Sequence, residues 1–456
     1  MRDLMLLGFV LFFIALALKN AFVAYLVWAW TALVFPTSYM YGFMTGSRLN
    51  LVFAVLTLLL LATQRHKLKS FELNRTTVLL LIFIAHGSVC AALALPANAS
   101  NATYYEIFMK SVVLALMLPV VVSDRLRLHA FLLVLMLGIG FIGAIDGLRV
   151  VATAGVHKNQ GMETGMLSDN NHFAAGIVMF VPLALYVAQH SGHRLTRWLA
   201  YSVFTLCVFS VLSSRSRGGF VALLIVGLCV LVVSRQRLRN ALIAGMLGFV
   251  FVAYAPEDVM KRLDTIETAQ EEDGSFRGRL MAWRVSSAIA LDNPVFGGGF
   301  HAVQNGVIWR RYSLDPGLFE GVDMPDPSQA LFAKAAHSIY FEVMGDMGFV
   351  GLAIFLALLS NAFMTLYGLG RRVRKDPRLR WARDLAFTLF TCLVGYSVAG
   401  AAVSLAYLEV FYILLLMVEV LRRLVAQQLA EQGAGVTAVA VATAVPAPAA
   451  GGRGRS

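Results

Sequence analysis

The sequence predicts an all-α polytopic membrane protein of about 12 transmembrane helices, with one long helical loop on the outer face. Three observations carry that expectation. Hydrophobic residues make up 59% of the 456 and charged residues 14%, against roughly 45–50% and about 25% in soluble domains. Apolar runs long enough to cross a hydrocarbon core recur along the chain, as spanning helices require. Twenty of the 38 Lys and Arg residues fall in six short loops or ends, at 64–76, 123–128, 191–197, 234–240, 370–384 and 422–423. Basic clusters in alternate loops are the positive-inside pattern. The composition, with a mean hydropathy of +0.72, excludes a disordered chain, a secreted disulfide scaffold and a cytosolic enzyme. The net charge of +12 reports topology and implies no nucleic-acid partner.

Thirteen apolar segments run at about 4–18, 21–36, 49–63, 77–96, 104–122, 129–151, 172–190, 198–214, 219–234, 240–255, 343–368, 384–402 and 403–421. The first two are near the lower limit of ~17 residues for a span. One of them reads as re-entrant or interfacial, which leaves twelve spans and a cytoplasmic N-terminus. Ala15-Leu16-Ala17 mimics a signal-peptidase site, but a second apolar run follows at once, as after an uncleaved span. The basic loops place 64–76, 191–197 and 370–384 in the cytoplasm, and 97–103, 154–171, 215–218 and 256–336 opposite. The chain divides into N-terminal spans (1–255), the outer loop (256–336), C-terminal spans (337–423) and a cytoplasmic tail (424–456) of low complexity, expected to be disordered. The outer loop begins at Pro256, with amphipathic helices near 257–271 and 275–291 and then a stretch rich in Pro and Gly. Cys90, Cys207, Cys229 and Cys392 lie within apolar runs and read as packing residues.

Residues 337–369 contain no helix breaker beyond scattered Gly. A straight helix of that length is ~50 Å long against a core of ~30 Å. Its start therefore projects outward and sets His337 at the mouth of an outward-facing cavity. A histidine there suits a general base; the bland alternative is an interfacial His satisfied by water. Arg215 and Arg217, in Ser214-Arg215-Ser216-Arg217-Gly218-Gly219, sit at an outer span end against the positive-inside trend. Two guanidinium forks on a tight turn suit phosphate oxygens, and snorkelling is the competing reading. Arg277, Arg279 and Arg284 surround Trp283 on the loop helix, with Arg262 before them. Arg279 and Trp283 share a face at i, i+4, and a solvated surface helix would show the same pattern. Asp146 with Arg149, and Glu106 with Lys110, read as ion pairs, and Asp169-Asn170-Asn171-His172 reads as an N-cap. No DxD, P-loop, HExxH or GxSxG motif occurs. Arginines without a tight carboxylate cluster favour metal-free, cofactor-free handling of a phosphorylated substrate.

Three stretches together carry a resemblance. His337-Ser338-Ile339-Tyr340-Phe341-Glu342, then Gly345-Asp346-Met347-Gly348 and Gly351-Leu352, resemble the His-Asn-x-Tyr … Glu-x-Gly-x-x-Gly-Leu signature of the O-antigen ligase and polymerase superfamily. Ser216-Arg217-Gly218 is similar to that family's Ser-Arg-Gly turn. Gly278-Arg279-Leu280-x-x-Trp283 and Asn293-Pro294-x-x-Gly297-x-Gly299 resemble its outer-loop pattern. Ser338 and Asp346 depart from the family's Asn and Glu. The opening Met1-Arg2-Asp3-Leu4 resembles O-glycosylation ligases associated with exosortase systems. The resemblance implies a type C glycosyltransferase of the bacterial inner membrane with a periplasmic active site. It would move a glycan from undecaprenyl pyrophosphate to the lipid A–core oligosaccharide, with inversion at the anomeric carbon. His337 would be its base and Arg215, Arg217 and Arg279 its pyrophosphate ligands, with Arg262, Arg277, Arg284, Trp283 and Tyr340 as further contacts. Protein O-oligosaccharyltransferase and O-antigen polymerase are the neighbouring activities. A lipid-linked-sugar transporter is the contrasting class, and it calls for an internal repeat that the sequence lacks.

The loop alternation makes a direct prediction. In cells with a permeabilised outer membrane, a membrane-impermeant thiol reagent should label Glu320→Cys and spare Lys375→Cys. Labelling of Lys375→Cys with protection of Glu320→Cys would invert the topology.

Overall fold

A computed structural model describes residues 1–64, 72–233, 274–322 and 332–444. The apolar segment 240–255, the amphipathic helix expected at 257–271 and Arg262 lie outside the described residues. The described residues form helices and the turns and loops between them, with no strand among them. Helices α1 (Arg2–Ala17), α2 (Ala21–Val34), α3 (Leu49–Thr63), α4 (Arg75–Ala92) and α5 (Asn101–Val121) lead to α6 (Arg125–Ala152). Helices α7 (Asn170–His190), α8 (Arg194–Ser213) and α9 (Arg217–Val233) follow, then α10 (Gly274–Asp292) and the short α11 (Gly306–Tyr312). Helices α12 (Ile339–Arg372), α13 (Arg380–Gly400) and α14 (Glu409–Ala444) complete the order. Among the described residues six helices are long and apolar enough to cross a membrane: α4, α5, α6, α7, α8 and α12. Three shorter apolar helices accompany them.

Helix α7 is the centre of the bundle. Phe173, Ile177, Phe180, Leu183, Tyr186 and Val187 are all buried, so it is covered on every side, as a core helix must be. Helix α6 approaches it closely because its facing residues are small. A Cβ on Gly140 would stand 2.4 Å from the Phe180 ring of α7, and one on Gly147 would stand 1.9 Å from the Leu206 carbonyl of the neighbouring α8. Small residues at such contacts let backbones meet where lipid gives no hydrophobic drive. The outer surface carries exposed Leu11, Phe12, Leu59, Leu199 and Leu228, a coat suited to hydrocarbon.

Helix α12 corrects the straight helix expected from 337. It is 34 residues long, and Gly348 within it has φ 67° and ψ −172°, outside helical geometry. Four of the backbone groups beside this break are captured. Gly345 and Asp346 carbonyls accept from Gly298 and Gly299 N–H at 2.9 and 3.0 Å, and Phe349 N–H donates to the Pro294 carbonyl at 2.9 Å. His86 Nε2 meets the Met347 carbonyl at 3.0 Å. The Asn293–Gly299 stretch is thus a plug seated in the broken helix.

Other expectations are corrected at helix ends. Residues 401–408 are not helical, so the last apolar segment, read as continuous over 403–421, begins with a turn. Helix α14 runs from Glu409 on to Ala444. Leu, Ala, Gln and Glu in that stretch are strong helix formers. Glu106 pairs with Lys110 at 2.6 Å, but Asp146 does not take Arg149 as its partner. Its carboxylate receives His157 Nε2 at 2.8 Å, Asn159 Nδ2 at 2.7 Å and Ser210 Oγ at 2.7 Å, which holds the 153–168 connection against α8.

The break at Gly348 has no room for a side chain. A Cβ there would lie 2.6 Å from the Pro294 carbonyl oxygen, at a φ that L residues avoid. Gly348→Ala is expected to lower stability by about 1–3 kcal/mol, read as a lower melting temperature in detergent. An unchanged melting temperature would contradict the plug.

Candidate active site

Four chain segments converge at one end of the bundle. The first is the start of α7, where Asp169 Oδ1 accepts from Asn171 and His172 N–H at 2.8 and 3.3 Å, the N-cap read from the sequence. Asn170 Nδ2 reaches across to the Ser214 carbonyl at 2.7 Å and ties this cap to the second segment, the turn into α9. There Arg215 has φ 55°, and Ser216 Oγ accepts from Gly219 N–H at 3.2 Å, capping α9. Gly219 packs 2.8 Å from Ala174 and Gly218 2.9 Å from Ala402, measured to the Cβ each would carry. Any larger side chain at either position would push the arginine-bearing turn away from α7 and from the third segment, 401–408.

The fourth segment carries His337. Its backbone is left-handed at φ 45°, a conformation that a bulky residue keeps only when its surroundings impose it. Two hydrogen bonds do so. His337 N–H donates to Ser404 Oγ at 2.8 Å, and Trp283 Nε1 donates to the Ala336 carbonyl at 2.8 Å. Trp283 in turn stacks on Phe341, with ring centroids 5.0 Å apart and planes 6° apart. Ser404 is itself fixed by neighbours that α12 holds. Glu342 Oε2 accepts from Ala406 N–H at 2.9 Å and Asp346 Oδ2 from Tyr407 Oη–H at 2.8 Å. Asp346 Oδ1 also accepts from Ala302 N–H at 3.1 Å. The two carboxylates of the motif thus clamp the 401–408 turn and the outer loop around His337.

The imidazole stands in a cationic, half-buried setting. Burial first, and then the Arg279 guanidinium, push its pKa down to about 4; His172 and Lys334 add to this and Asp169 opposes it. The ring is therefore neutral at physiological pH and can accept a proton. Among the described residues neither His337 Nδ1 nor His172 Nε2, both buried, has a hydrogen-bond partner. Buried polar atoms are otherwise paired almost without exception, so two orphan ring nitrogens in one cluster mark a place for a ligand.

Of the residues singled out in the sequence, the structure brings His337 and Arg279 into one electrostatic cluster and packs the Arg215–Arg217 turn on the elements that frame it. Trp283 and Tyr340 are positioning groups, since Tyr340 Oη–H donates to the Ser397 carbonyl at 3.0 Å. Arg284 is occupied elsewhere: its Nε and Nη2 donate to the Asp315 and Leu314 carbonyls at 2.7 and 2.8 Å. Arg277 lies half-buried on the same helix as Arg279. Sequence reasoning missed His172, Asp169 and Lys334 as neighbours of His337. The N-cap reading of Asp169 was sound but gave no sign that the residue three positions on would face the site. Lys334 packs along Gly278, a contact without a sequence signature.

These features define a class: an all-helical, multi-pass membrane protein with a histidine- and arginine-lined site at one end of its bundle. Residues 201–356, which contain Arg215, Arg217, Arg279 and His337, match the family model described as O-Antigen ligase. The match supports membership of the O-antigen ligase superfamily for that part of the chain. Residues 1–192 match a family of unknown function (DUF5935). No curated protein matches the chain.

Proposed function

We propose that the protein is a glycosyltransferase of the ligase type. It takes a glycan from undecaprenyl pyrophosphate and joins it to the lipid A–core oligosaccharide on the periplasmic face of the bacterial inner membrane. The observation that carries this reading is the neutral, buried imidazole of His337 beside Arg279, with its Nδ1 lacking a hydrogen-bond partner among the described residues. In the reading, about twelve spans of a type C glycosyltransferase surround an outer site, with residues 256–336 as the periplasmic loop between the two sets of spans.

The chemistry is a single displacement. The acceptor hydroxyl attacks the anomeric carbon, its proton passes to His337, and the bond from that carbon to the pyrophosphate oxygen breaks. Undecaprenyl pyrophosphate leaves and the anomeric configuration inverts. Arg215, Arg217 and Arg279 neutralise the charge that grows on the leaving group, in forks that match phosphate oxygens. Fixed cations aimed at developing charge lower the barrier without reorganising in the reaction. The scheme needs no metal, because the arginines supply the positive charge that a metal would. The donor also tunes the base. Its pyrophosphate offsets the Arg279 charge that depresses His337, so the imidazole becomes more basic when the leaving group is in place.

Purified protein given lipid-linked glycan and lipid A–core should glycosylate the core; glycosylation of a pilin-like protein instead would favour the protein O-oligosaccharyltransferase. The pH profile tests the base. Protonation removes it, and a depressed pKa delays protonation to lower pH. The acid limb of kcat/KM, which reports the free enzyme, is therefore expected near 4. Arg279→Gln should move that limb up toward the ordinary value of about 6.5 and weaken donor binding. A native limb near that ordinary value, unmoved in Arg279→Gln, would overturn the assignment.

A further inference from the structure

A second charged site lies at the opposite end of the bundle. Helix α7 begins in the cluster around His337 and ends at Gln189 and His190, and α13 runs the other way, from Arg380 to Gly400 beside Ile339. Each has 21 residues, or ~30 Å of helix. Between the far ends of these helices is a cavity of about 610 Å³ whose walls include Arg125, Arg197, Arg378 and Arg380, with Tyr201 and Trp381. That volume lies within the range of small-molecule sites.

The charge in this cavity is unbalanced. Among the described residues that line it, Asp384 is the only carboxylate, set against four guanidinium groups. That carboxylate is already engaged by His190 at 3.3 Å, Arg383 at 3.0 Å and Arg380 at 3.6 Å. Arg125 lies over the Trp381 ring at 4.8 Å, which fixes its guanidinium without neutralising it. Arg197 donates one Nη2 bond to the Ser191 carbonyl at 3.1 Å, and its fork has further donors. Like charges brought together around a cavity repel unless an anion joins them.

The neighbouring surface says what kind of anion. Next to Arg197 on the first turns of α8, Trp198 is 70% exposed. A tryptophan at a spanning-helix end marks the membrane–water interface, which sets the cavity at headgroup depth. We propose that this cavity holds an anionic phospholipid. Its phosphate sits among Arg125, Arg197, Arg378 and Arg380, and its acyl chains pass Trp198 into the hydrocarbon. Basic pockets between spanning helices bind such headgroups, whereas a free phosphate has no use for the interfacial indole. The proposal rests on the membrane-spanning reading of the helices and is independent of the transfer chemistry at His337.

The test uses the full-length protein in mild detergent, equilibrated with mixed vesicles of phosphatidylglycerol and phosphatidylcholine in equal parts. Tightly bound lipid is counted by native mass spectrometry. The native protein should retain phosphatidylglycerol in preference to phosphatidylcholine. The double variant Arg197→Gln, Arg378→Gln alters exposed side chains, and its melting temperature without lipid serves as the folding control. With each arginine worth about fivefold, its retention should fall by roughly 20-fold, and Arg197→Lys with Arg378→Lys should restore most of it. Equal retention of the two lipids by the native protein would overturn the proposal without reference to any variant. Undiminished retention by a folded double variant would do the same. Displacement of the lipid by millimolar inorganic phosphate, with phosphate bound in its place, would make the source free phosphate and overturn the lipid assignment.

Discussion

A helix of 34 residues is longer than the hydrocarbon it crosses, and how α12 resolves that excess governs the end of the bundle that holds His337. It breaks at Gly348. Backbone groups released inside a membrane protein must find partners within the protein, and here the partners are supplied by Pro294, Gly298 and Gly299. The break therefore does more than shorten the span. It recruits the 293–299 loop and leaves the first turns of α12 to aim Glu342 and Asp346 at the 401–408 turn and at Ala302. Ser404, and through it the backbone of His337, depends on that arrangement.

The strained backbone of His337 follows from the same chain of contacts. Left-handed φ values at His337, Arg215 and His301 cluster where loops from distant parts of the sequence meet. Each is held by neighbours rather than by local preference. His301 shows the pattern away from the proposed chemistry: its ring lies 3.7 Å from Tyr104 at an interplanar angle of 10°, and its Nδ1 meets Ser100 Oγ at 3.1 Å. Burial pushes its pKa down to about 4. It thus locks the loop to α5 as a neutral ring. At His337 the same physics is joined by Arg279, and the ring nitrogen is left open.

Much of this was legible in the sequence, and the limits have physical causes. The helical, membrane-spanning class follows from composition and run length, which tertiary contacts do not alter. The two glycine-rich motifs were visible, but their function as mates was not. Nothing in Asn293-Pro294-x-x-Gly297-x-Gly299 says that it docks on Gly348, because that contact is made by backbone atoms of segments about fifty residues apart. Scattered glycines in 337–369 were read as tolerated within a straight helix, and one of them proved to be the break. Ser404 was hidden in an apolar run, and Asp146 took His157 over the nearer Arg149 because the 153–168 connection folds back onto it. Local spacing finds partners one turn away. It does not find those delivered by a returning loop.

The central claim is that His337 takes the proton from the acceptor and the arginines hold the donor. Its most direct measurement compares His337→Ala with native protein in two assays on one preparation, binding of lipid-linked glycan and transfer of that glycan. Loss of general-base catalysis is worth ~10²–10⁴-fold. The account predicts transfer reduced by that factor and donor affinity within a few-fold of native. Near-native transfer by His337→Ala would contradict it, and the arginines would then have to act without a side-chain base.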